Sequence, residues 1–287
     1  MKIGGSAVLF TLVTAGAAVA GPASGSVTSR TGTISPKQAV GYVVRDDRNA
    51  HKTEIELLLT DVPVDAAGLR DQLDPHTVAI NFDELRDRNY LLLWVAPDGT
   101  VSMNATYSKT MTQYINDTSG GLKAELTTNT PTRIEGRVYS PSPLKTMDGP
   151  TYTIDVKFSA DVIPALSGTA LPAGGGDAGK ALTTWVAAVM KKDWPGIKAG
   201  LSPKKLPMFD RDYDTPKEKA DAAADILPAR MAMTKMKIDG GMLVNPTMAV
   251  LEVEADRFGS RVLELVKMVK TDGVWQYEES VPAGSLR

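Results

Sequence analysis

Two hydrophobic periods divide the chain. From about residue 34 to 162 apolar positions recur every second residue, as in Glu54-Ile55-Glu56-Leu57, where Ile55, Leu57 and Leu59 fall on one face of an extended strand. Similar runs cover residues 38–45, 77–82, 90–95, 100–107, 122–128, 133–139 and 151–160. A short helix over 65–73, with Asp65 placed to cap it, interrupts them, and Pro97-Asp98-Gly99 supplies a turn. Short strands joined by Gly, Pro and Asp turns predict an all-β sandwich over 34–163.

Residues 164–179, with three consecutive glycines and two prolines, read as a linker. Beyond it the period becomes three to four. Leu182, Trp185, Val186 and Val189 share one stripe of a helix that Asp177 would cap. Asp193-Trp194-Pro195 starts a second helix, and Thr215-Pro216-Lys217-Glu218 is a capping box opening a third. Strands follow at 231–238, 248–255, 261–270 and 274–280, turned at Asp239-Gly240-Gly241 and at Asp272-Gly273. The 248–255 strand is apolar on both faces, with Ala249, Leu251 and Val253 opposite Met248 and Val250. Helices on one face and an enclosed ligand or a second copy on the other would account for that. The fold class is therefore α+β: a β-sandwich followed by an α+β cone over 180–281, with a tail at 282–287.

Residues 1–20 differ from both halves. A Met1-Lys2 head, an apolar run from Ala7 to Val19 and Ala18-Val19-Ala20 form the pattern of a signal peptide cleaved after Ala20, too short for a membrane span. Residues 21–33, rich in Gly, Ser and Thr, read as a flexible lead-in. A periplasmic or secreted location follows. The chain has 287 residues, 32 basic against 34 acidic, which gives no reason to expect nucleic acid as a partner, and no later segment is apolar enough to span a membrane. It has no cysteine, which excludes disulfides and thiol catalysis.

The Met190-Lys191-Lys192-Asp193-Trp194 helix end, the helix of 197–201 and the Val269 to Trp275 hairpin resemble the cone-shaped superfamily of nuclear transport factor two and the ketosteroid isomerases. The likeness is nearest to its lumazine-binding-like secreted bacterial domains. The resemblance implies the cone fold and leaves the activity open, because that superfamily holds enzymes, binders and assembly modules. In the front half, Thr60 to Asp65, Arg133 to Arg137 and Tyr152 to Phe158 resemble a bacterial envelope β-domain family that brings no catalytic residues with it.

No catalytic constellation stands out. The two histidines, His51 and His76, read as surface-loop residues of the front half. The isomerase relatives imply a tyrosine and buried carboxyls. Asp210, Asp212 and Tyr213 are the one compact cluster of that kind near a helix boundary, and they read as a solvated loop. No phosphate loop, calcium loop or nucleophile elbow is present. Met231, Met233 and Met236 suit Cu(I) by softness, but strand spacing puts Met236 on the other face, so core filling accounts for them better. Neither cofactor nor metal is expected.

The expectation is an exported, non-enzymatic binding protein of the cell envelope. It would hold a small apolar ligand in the cone between Trp185, Val189, Met236, Met248, Val250, Val266 and Met268. Alternatives are an assembly module, binding an envelope protein or forming a homodimer through the cone sheet, and methionine-based copper binding. The leader carries its own test. Expressed in a secreting bacterium and sequenced from its N-terminus, the exported chain should begin at Gly21; a chain still carrying the 7–19 run would contradict the cleavage site.

Overall fold

A computed structural model describes residues 20–285 apart from 47–48, 108–113, 118–119, 146–150, 227–234 and 258–259. The leader, Met231 and Met233 lie outside these residues. The fold is α+β, with one large curled sheet and a second, smaller one. The front half carries β1 (Gly21–Ser29), β2 (Gly32–Ile34), β3 (Gln38–Asp46), β4 (Asn49–Thr60), α1 (Pro75–Ile80), β5 (Tyr90–Val95), β6 (Val101–Thr106), β7 (Tyr114–Asp117), β8 (Lys123–Thr130), β9 (Arg133–Tyr139), β10 (Leu144–Lys145) and β11 (Thr151–Ile163). The rear half follows with β12 (Thr169–Leu171), α2 (Gly176–Met190), α3 (Trp194–Ala199), α4 (Leu206–Asp212), α5 (Pro216–Ile226), β13 (Lys237–Asn245), β14 (Met248–Arg257), β15 (Ser260–Thr271) and β16 (Val274–Ser285).

The front strands form a single hydrogen-bonded sheet in the order β7-β6-β5-β4-β3-β1-β11-β9-β8. It curls over its own core, so that Leu57, Leu93 and Met103 meet Ile134, Val138, Val156 and Phe158. Residues 21–33, expected as a flexible lead-in, instead make β1 and β2. β1 pairs with β11 from Ala23↔Phe158 to Ser29↔Tyr152 and touches β3 at Gly21↔Ala39. The strand lacks an apolar alternation because backbone pairing, more than side-chain burial, holds it. Gly25 has φ +100°, and a Cβ there would stand 2.0 Å from the Asp155 carbonyl oxygen.

The outer face of β3, β4 and β5 is roofed by a 3-10 turn at Ala66–Leu69, capped by Asp65, and by α1. Most of the 77–82 run predicted as a strand is therefore helical, through Ile80: Asp74 caps α1 by accepting from the Thr77 N–H, and Pro75 takes the first turn. Leu69 and Ala79 of this roof pack on Val40, Leu58 and Leu92 of the sheet.

In the rear half a five-stranded sheet, β12-β13-β14-β15-β16, carries α2 to α5 on one face. The expected linker contributes β12 to the sheet edge and the first turn of α2, whose cap is left-handed Gly175 rather than Asp177. β13 runs straight through Asp239-Gly240-Gly241, with a register shift between Ile238 and Gly240 where a turn was predicted. β16 reaches Ser285, so 282–285 belong to the sheet, not to a tail. The stripe Leu182, Trp185, Val186 and Val189 is buried as its spacing predicts. Trp185 stacks on Tyr277 with ring centres 4.2 Å apart, and its indole N–H donates to the Ile197 carbonyl at 3.0 Å. The Thr215–Glu218 capping box is fully formed.

The other face of the rear sheet lies against the front half. Val250, Leu265 and Ala283 are buried there with Leu73 and Leu166. Lys267 stands on this face, 2% exposed. Its ammonium donates to the Asp71 carbonyl and pairs with Glu278 at 2.9 Å and Glu279 at 3.6 Å. Glu279 in turn accepts the Leu73 N–H at 3.1 Å. Replacing Lys267 by Met would leave two largely covered carboxylates without their counter-charge, so Lys267→Met should cost about 3 kcal/mol of stability in denaturant unfolding. A loss below about 1 kcal/mol would show that the pair does not hold the halves together.

Candidate functional site

The face of the curled sheet under α1 carries a row of cross-strand neighbours, Tyr42↔Glu56↔Trp94↔Ser102, across β3 to β6. Strand alternation puts all four on one side, opposite Ile55, Leu57 and Leu59. Glu56 has no exposed surface. A buried carboxylate needs donors, and it has them: the Tyr42 hydroxyl donates at 2.6 Å, and Nδ1 of His76 lies 2.8 and 3.0 Å from its two oxygens. Because an ionised carboxylate only accepts, Nδ1 carries its proton toward Glu56, and the carboxylate fixes the ring's orientation. The His76 ring also packs near Trp94, with centroids 6.2 Å apart. Burial, reinforced by the charge of Glu56 and the hydrogen bond to it, holds the Tyr42 phenol well above its ordinary titration range.

These groups form one wall of a cleft of about 690 Å³ between the halves. His76, Trp94, Glu54, Asp74 and Ser102 line it from the front sheet and α1, with Glu56 covered behind them. Leu166, Met242, Val250, Leu265 and Val281 line it from the linker and rear sheet. The segment from Asp71 to Leu73, held by Lys267 and Glu279, leads directly into Asp74 and His76, so the rear sheet sets where the start of α1 sits.

The sequence-derived pocket residues divide. Trp185, Val189, Val266 and Met268 are packed into the core between sheet and helices, 3, 2, 0 and 0% exposed. Met236 packs partly buried against the same core. Met248 is buried. Val250 points to the opposite face and is the one of the seven that lines the cleft. His76, expected in a surface loop, is instead locked on Glu56 at the start of α1. His51 falls in β4, and its side chain lies outside the described residues. Asp210 and Asp212 sit on α4, a helix rather than a loop, and pair with Lys219 and Arg211 on the surface; Tyr213 follows as its exposed C-cap. Among the described residues no group of three or more His, Asp or Glu side chains is arranged to hold a metal, and no helix is long and apolar enough to cross a membrane.

Reading the sequence alone missed Glu56. The alternation Glu54-Ile55-Glu56-Leu57 marks it as solvent-facing, and only the roof of α1 buries it. Asp74-Pro75-His76 was the available signal, since an Asp-Pro pair is a helix start and places the next residue in the first turn. No family model matches this chain, and no curated protein or solved structure matches it either.

Tyr42→Phe keeps the ring and removes one donor from the buried carboxylate, and should cost about 1–3 kcal/mol in chemical denaturation at neutral pH. The phenols of Tyr42 and Tyr277 both titrate higher folded than unfolded, chiefly through burial. Their contribution is therefore complete below about pH 10, the unfolded value, and lost as pH rises through the folded range. Tyr42→Phe should flatten the alkaline fall in stability; an unchanged alkaline limb would refute the assignment.

Proposed function

We propose that the protein is an exported, non-enzymatic binding protein of the cell envelope, and that it holds a small, largely apolar ligand in the cleft between its halves. The carrying observation is the cleft itself. Its volume falls within the range of about 300–1,000 Å³ usual for small-molecule sites. One wall is aliphatic, from Leu166, Met242 and Val281 over a floor of Val250 and Leu265, and the other presents fixed polar and aromatic groups. The engagement of Glu56 by Tyr42 and His76 supports binding over catalysis, because both carboxylate oxygens are already spent on holding the wall in place. Export rests on the leader pattern of residues 1–20. The cone form and superfamily resemblance of 180–281 belong to the same reading, supported by helices α2 to α5 packing on one sheet face. The second apolar face of that sheet, which self-association would also require, is occupied by the front half, and this favours a ligand over a homodimer.

Neutral apolar probes of naphthalene size, screened by thermal shift and then mapped by hydrogen–deuterium exchange, test this. Bound probe should slow exchange at residues 72–77 and 242–250 together. Protection confined to α2 to α5, or no shift with any probe, would overturn the cleft as the site.

A further inference from the structure

Between Leu69 and His76 the chain leaves the front half, touches the rear sheet and returns. We infer that this crossing is a strap, and that its attachment to Glu279 sets how tightly the cleft binds. The inference rests on the cleft being the binding site. Leu69, fully buried, is anchored in the front core under α1. Leu73 packs instead with Val250, Leu265 and Ala283 of the rear sheet. His76 then returns to the front sheet, where Nδ1 meets Glu56. The backbone of the strap is tied to the rear half at the Asp71 carbonyl, which accepts from Lys267, and at the Leu73 N–H, which donates to Glu279 at 3.1 Å.

The strap is also a wall of the cleft, lined by Gln72, Leu73, Asp74, Pro75 and His76. Asp74 and Pro75 form the start of α1, so any shift of Leu73 off the rear sheet passes straight into them. Gln72, Leu73 and Asp74 are all half-buried, whereas the facing Val250 and Leu265 are buried in strands paired along their length. The sheet is therefore the rigid side of the cleft and the strap the yielding one. A ligand touching both sides needs the strap docked, and its apparent affinity scales with the docked fraction. Glu279 is not among the residues lining the cleft. It acts on the ligand through Leu73, as a positioning residue. By reciprocity a bound ligand holds the strap down.

Two substitutions isolate the Leu73 bond. Glu279→Gln and Glu279→Leu both remove the charge beside Lys267, which keeps Glu278 at 2.9 Å. Only glutamine retains an oxygen that can accept the Leu73 N–H. Neutral 2-naphthol, titrated by its fluorescence into the full chain from Gly21, should bind Glu279→Gln within about twofold of wild type. It should bind Glu279→Leu about fivefold more weakly, the effect of one net hydrogen bond. Hydrogen exchange at residues 71–74 should quicken in Glu279→Leu while β14 and β15 keep their protection, which a general loss of stability would not produce. In the wild-type chain the Leu73 amide should exchange faster than those of β14 and β15, and bound 2-naphthol should slow it. This last measurement decides the question even where Glu279→Leu does not fold. If the two variants bind alike, or wild-type Leu73 exchanges no faster than β14 and β15, the strap is wrong and the cleft stands. If wild type does not bind 2-naphthol, or protection falls outside 72–77 and 242–250, both fail.

Discussion

The ammonium of Lys267 is the constraint on which the arrangement of the halves depends. A lysine with almost no exposed surface is unfavourable unless every donor is engaged, and here the partners come from two directions. Glu278 and Glu279 belong to the neighbouring strand; the Asp71 carbonyl belongs to the other half of the chain. Glu279 completes the circuit by accepting the Leu73 N–H. The aliphatic contacts around it exclude water but have no direction. The charged bonds do, and they fix which part of the front half meets the rear sheet.

That fixed contact also shapes the cleft. Asp71 and Leu73 lie immediately before Asp74, the cap of α1, and His76, which closes over Glu56. The front half supplies Tyr42, Glu56 and Trp94 from the rigid middle of a sheet; the rear half supplies the facing aliphatic wall. Neither half encloses the cleft alone. The buried carboxylate of Glu56 is held by two donors, Tyr42 and His76, and so braces the wall of the cleft.

Much of the fold was legible because local chemistry determined it. The Thr215 capping box, the Asp272-Gly273 hairpin, where both residues have positive φ, and the Trp185 stripe all follow from short-range rules. The apolar second face of the 248–255 strand was also legible as a signal. Its partner was not, because periodicity reports that a face is covered and never by what. The same limit hid Glu56, whose burial comes from a helix nearly twenty residues away in sequence. Residues 21–33 failed for a different reason: a glycine- and serine-rich strand held by its backbone has no hydrophobic signature, and the close approach that needs Gly25 is a property of β11. Of the residues expected to line the cone, Trp185, Val189, Val266 and Met268 pack on the helix-covered face, whereas the open space lies on the reverse side of the sheet.

β1 has one more consequence. It is the first strand of the described chain, yet its main partner, β11, is the last of the front half, and β3 joins both. Chain emerging from its N-terminus therefore presents a sticky, half-paired ribbon that stays open until the far end of the half has been made. Closure by such distant pairing is slow relative to local hairpins. During that interval the edges of β1 and β3 are open to pairing with other chains, and the arrival of β11 is what closes them.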